Sequence, residues 1–105
     1  MTVFIVCEPA KTLDFTPALE YGKLEVLLAH SQSMLAPVQT VRQLRQKLAN
    51  FTDEDFIIPT GDPVLISTVS SVATHINHGR AKFLKWDKLQ RKYYQIQIDV
   101  SGRSL

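Results

Sequence analysis

Val3-Phe4-Ile5-Val6-Cys7 is apolar without polar alternation, the pattern of a central strand covered on both faces. Leu24 to Ala29 reads as a second strand, and Asp55 to Pro59, apolar at Phe56, Ile57 and Ile58, as a short third. Between them the period changes. Behind Pro37, Val38, Val41, Leu44 and Leu48 recur at helical spacing, with Arg42, Gln43, Arg45, Gln46 and Lys47 on the remaining arc, so a helix with one buried stripe is expected. Val64 to His78 forms a second such helix, with Leu65, Ile66, Val69, Val72, Ala73 and Ile76 inward and Gly79 placed to end it in the left-handed conformation. Thr16 to Gly22 offers a capping hydroxyl, Pro17 at the first helical position and a terminal glycine, the signature of a short helix.

From Ala81 onward the period is that of strands. Ala81 to Asp87 and Lys92 to Val100 flank a Lys88-Leu89-Gln90-Arg91 turn, which predicts a hairpin. Alternation within each strand sends Leu84, Trp86, Tyr94, Ile96, Ile98 and Val100 to the core and Phe83, Lys85, Tyr93, Gln95, Gln97 and Asp99 outward. Strands alternating with helices imply an α/β fold with a mainly parallel sheet. Placing the first strand in the middle gives an order near 2-1-3-4-5 with a C-terminal antiparallel hairpin. This is a small relative of the flavodoxin-like architecture, built as a three-layer or two-layer sandwich. At 105 residues the whole chain, 1–105, is read as one domain, with 101–105 a frayed tail.

Composition adds location. No segment approaches the length of a membrane span, Met1 to Val6 lacks the parts of a signal peptide, and the single cysteine, Cys7, sits in the most apolar strand. A soluble cytoplasmic protein with a buried, unreactive thiol is expected.

The Thr60-Gly61-Asp62-Pro63 turn between the third strand and its helix invites a phosphate-binding reading, because helix-start amides receive anions. In the 2-1-3-4-5 order it meets the Glu8-Pro9-Ala10-Lys11-Thr12 loop at the topological switch point. Asp62, however, precedes Pro63 and caps those amides with its own carboxylate, and no further glycines or Gly-Lys-Ser/Thr follow. A hard cation held by Glu8, Asp14 and Asp62 is the other reading of these loops, against the plainer one of solvated loop acids. His75 and His78 lie one turn apart at a helix end, where favourable dipole interaction accounts for them without zinc. His30-Ser31 has no orienting acid. No cofactor and no metal are expected.

Charge is unevenly spread. Arg80 to Tyr94 carries six basic residues, Arg80, Lys82, Lys85, Lys88, Arg91 and Lys92, against the single acid Asp87, which leaves the remainder acidic. Interleaved with Phe83 and Tyr93, they form what a nucleic-acid surface requires, and equally what protects a sheet edge from pairing.

Gly61-Asp62-Pro63-Val64-Leu65-Ile66, Asn77-His78-Gly79-Arg80, Leu84-Lys85-Trp86-Asp87 and the Tyr93-Tyr94 pair resemble small proteins encoded by tailed bacteriophages, as does Thr12 to Gly22. The resemblance implies a setting, the infected bacterial cytoplasm, and brings no activity with it. The expectation is a non-enzymatic accessory protein that binds a host or phage protein through the basic hairpin. Sequence-independent nucleic-acid binding and a small nucleotide- or metal-binding enzyme using the switch-point loops are the alternatives. A homodimer formed by the Phe83 and Tyr93 face or by the edge of the second strand is a further possibility.

Overall fold

The computed structural model describes residues 1–9, 13–29 and 36–102. Strand β1 (Thr2–Cys7) lies between β2 (Lys23–Leu28) and β3 (Phe56–Ile58), parallel to both, and β4 (Arg80–Asp87) and β5 (Lys92–Asp99) complete the order β2-β1-β3-β4-β5. The β3–β4 pair is parallel and the β4–β5 pair antiparallel. Strand β1 needs cover on both faces because its side chains alternate between two cores: Phe4 and Val6 in one, Val3 and Ile5 in the other.

The crossover connections supply that cover unequally, as a constant right hand for such connections requires. The chain steps one way along the sheet from β1 to β2, through a 3-10 helix (Thr16–Tyr21), then reverses through helix α1 (Pro37–Lys47) and continues through helix α2 (Pro63–Ile76). Reversal changes the face on which the connection lies. Leu44, Leu48, Leu65, Val69 and Ala73 therefore pack with Phe4 and Val6, whereas Ala18, Phe15 and Tyr21 pack with Val3, Ile5, Phe56 and Ile58. One face carries two helices and the other a single short one.

Three local expectations are corrected. The stripe of α1 runs through Thr40, Leu44 and Leu48, all fully covered, and Val38 is exposed, because two residues turn the helix by about 200°. Thr16 does not cap the 3-10 helix; Phe15 holds that position, and Thr16 N–H donates to the Asp14 carboxylate at 2.9 Å. After α2 Gly79 does take a positive φ, 94°, but the left-handed residue that directly follows the helix end is His78, with φ of 59°, and Gly79 N–H closes back onto the Thr74 carbonyl at 2.7 Å.

The hairpin faces are also corrected. Asp87 opposes Lys92, so an even-numbered residue of β4 always faces an odd-numbered residue of β5: Trp86 opposes Tyr93 and Lys85 opposes Tyr94. Tyr93 accordingly shares the Leu84 face and is 8% exposed, whereas Tyr94 is 40% exposed. On the helix-covered face Phe83 and Ile98 pack against the main core.

At the opposite end of the sheet from the carboxyl ends of β1 and β3, Asp55 binds strand to strand. Its carboxylate accepts from Thr2 N–H and from Thr52 N–H, both at 2.9 Å, so a buried acid is satisfied by main-chain donors.

Candidate functional site

Strand lengths build the site. Strand β3 stops at Ile58 and is followed by Pro59, which has no N–H to offer a ladder, whereas β4 runs on to Asp87. The β3–β4 register is carried at Ile57 and Phe83, so the distal half of the β4–β5 hairpin overhangs the carboxyl end of β3. The ribbon is held open by its turn: the Asp87 carboxylate accepts from Leu89 N–H at 2.9 Å and Gln90 N–H at 3.2 Å, and Arg91 takes a positive φ of 55° to return the chain.

Under the overhang lies a cleft of about 840 Å³. Its floor is Ile58, Pro59 and Thr60; one wall is Leu13, Asp14, Phe15 and Pro17, leading into the 3-10 helix; the other is Phe83, Leu84, Lys85, Trp86, Arg91, Tyr93 and Ile96 from the hairpin. Trp86 stands edge-on to Tyr93 with centroids 5.0 Å apart and rings at 65°, a favourable aromatic geometry. Burial pushes the Tyr93 phenol above its usual range, and the nearby Asp14 charge adds to the effect. The cleft thus has an apolar and aromatic interior, with Lys85 and Arg91 as cations and Asp14 as an anion.

The switch point itself is occupied by the chain. Thr60 Oγ1 donates to the Cys7 carbonyl at 3.1 Å, and Gly61, at φ of 100°, lies so close to β1 that a Cβ there would be 3.0 Å from Cys7 Cβ. The Asp62 carboxylate accepts from Val64 N–H at 2.6 Å as the N-cap of α2. The Thr-Gly-Asp-Pro stretch therefore closes β3 onto β1 and starts a helix. The available space has moved one interval along, between β3 and the hairpin. Lys11 and Thr12 lie outside the described residues, as do His30 and Ser31, while Glu8 is exposed beyond β1. Among the described residues no group of three His, Cys, Asp or Glu is placed to hold a metal ion.

The thiol of Cys7 is buried, donates to the Ala29 carbonyl at 3.4 Å, and is pushed up in pKa by burial and then by Glu8 and Asp62. It has the environment of a packing residue.

The six basic residues of the hairpin do not share one surface. Arg80 sits at the far end of β4, where its Nε donates to Asp53 at 3.0 Å beside Asn77. Lys82 covers the Phe56 ring, 4.4 Å from its centroid, on the 3-10-helix face. Lys85 and Arg91 line the cleft, Lys88 is exposed in the turn, and Lys92 stands opposite Asp87. Of the two aromatics expected outside, Tyr93 is buried and Phe83 half-buried; Trp86 and Tyr94 are the exposed ones. Trp86, which pattern reading sent to the core, and Leu13 and Phe15, to which it gave no role, are cleft residues. Their signal was the length mismatch between a short strand ended by proline and a long hairpin.

A family model described as "Phage Pam3 gp32-like protein" matches residues 1–100. No curated protein and no solved structure matches the chain. No helix among the described residues is long and apolar enough to cross a membrane.

Proposed function

The chain belongs to the phage Pam3 gp32-like family, and from that premise we propose that this phage accessory protein is non-enzymatic and binds a host or phage protein in the bacterial cytoplasm through the distal hairpin and its cleft. The observation that carries this reading is the convergence of Trp86, Phe15, Leu13 and Ile58 with Lys85 and Arg91 in one open cleft. An apolar, aromatic centre with a charged margin is the anatomy of a protein-binding patch, and Trp and Arg are the residues that most often dominate such contacts. Cofactor-free binding also agrees with a switch point filled by Thr60 and Gly61.

The test is affinity capture from infected-cell lysate, with and without nuclease, using the native chain and Trp86→Ala. Specific protein capture that survives nuclease and is lost with Trp86→Ala, which should cost about 2 kcal/mol of binding, supports the proposal. Capture abolished by nuclease, with affinity falling steeply as salt rises, transfers the function to nucleic acid. Equal capture by the native chain and Trp86→Ala moves the contact away from the cleft.

A further inference from the structure

The sheet has two edges, and only one is guarded. On β2, the Lys47 ammonium reaches across from α1 and donates to the Leu27 carbonyl at 2.6 Å, while Lys23 and Glu25 place charges along the strand. These are the devices by which natural sheets discourage pairing at an edge. Strand β5 has none of them through its middle. Its sequence from Tyr94 to Ile98 is uncharged and free of proline and glycine, and Tyr94 and Ile96 are exposed. The Tyr21 hydroxyl donates to the Tyr93 carbonyl at 3.1 Å, and no hydrogen bond from a described side chain reaches the main chain of 94–98.

The strand is also complementary to itself. Its turn-proximal end is cationic, at Arg91 and Lys92, and its other end is anionic, at Asp99. Parallel pairing of two copies brings like charges together; antiparallel pairing about a twofold axis brings each cationic end to the partner's anionic one. A twofold axis perpendicular to the sheet keeps faces matched, so it passes midway between a residue and the same residue of the other copy. Centred on Gln95, it sets Tyr94 opposite Ile96 of the other copy twice over and directs Arg91 toward Asp99. Aromatic–β-branched pairs and opposite charges are favourable cross-strand neighbours.

We propose that the outer edge of β5 binds the β5 of a second copy, antiparallel, to give one continuous sheet across a symmetric dimer. Arg91, Tyr93 and Ile96 also line the cleft, so the proposal is tested by association between copies and not by capture of a cleft ligand. Sedimentation equilibrium of the full chain is expected to show a reversible monomer–dimer equilibrium, with the monomer at 11.9 kDa. Ile96→Lys, which installs the missing guard, is expected to give monomer, and Lys92→Glu to weaken association about tenfold. Amide exchange on the unmodified chain provides a check that needs no variant: the outward amides of β5 should slow as protein concentration rises. A chain that is monomeric at all concentrations, a dimer unchanged by a folded Ile96→Lys variant, or β5 exchange independent of concentration overturns the proposal.

Discussion

Asp62 shows how one side chain can decide a site by filling it. The amides at the start of α2 meet an internal carboxylate at 2.6 Å, so the anion that helix starts attract is already covalently part of the chain. Asp62→Ala is expected to lower unfolding free energy by about 1 kcal/mol in urea titrations. Asp53 gives the chain a pH dependence at the other end of the sheet. Hydrogen bonds from Arg80 and then Asn77 hold its carboxyl below the usual carboxylate range. Because the folded-state pKa is depressed, the stabilisation is complete above the unfolded value of about 3.9 and disappears as pH falls through the lower folded value. The pair stands largely in solvent, so the effect is small. Asp53→Asn should therefore leave the melting temperature at pH 3 closer to its neutral value than the native chain does. The capping role of Asp62 was legible in the sequence, since Asp-Pro followed by an apolar helical period admits little else. The Asp53–Arg80 pair was not, because it joins a loop residue to the first residue of β4, which only the sheet order brings together.

At the level of elements, strands and the two long helices were legible because their periods are unbroken, and the β2-β1-β3-β4-β5 order followed from parallel crossovers. The face of the hairpin was misread for a specific reason. Reading alternation separately in each strand paired Leu84 with Tyr94, whereas counting through the four-residue turn from Asp87 to Lys92 forces Tyr93 onto the Leu84 face. The turn held the answer. Tyr93→Ala should cost about 3 kcal/mol in equilibrium unfolding, and Tyr94→Ala under 1 kcal/mol by the same measurement, about the difference between emptying a packed site and trimming an exposed one. Equal costs would restore the alternative face assignment. The stripe of α1 was misread more mildly, because Thr40 looks polar yet occupies the line through Leu44 and Leu48.

Across the whole molecule, order should fall from the centre of the sheet outward. Strands β1 and β3 are buried along almost their full length, whereas the distal hairpin extends past Ile58, where β3 ends, and has no third strand beside it, and two strands alone are marginal in water. Native-state amide exchange is expected to be slowest at Val3 to Val6 and Ile57, and fastest within the sheet at Trp86, Asp87 and Lys92. The cleft was not legible in the sequence as a place, although most of its residues were noticed, because it arises from a difference in length between neighbouring strands rather than from a motif.

That difference in length has an evolutionary consequence. Since the ribbon's tip at Lys88, Leu89 and Gln90 is exposed and belongs to neither core, replacing or lengthening it leaves both cores untouched. Under the binding role proposed above, viral lineages facing changing hosts would retune recognition there by drift and insertion, without first acquiring compensating changes in the scaffold.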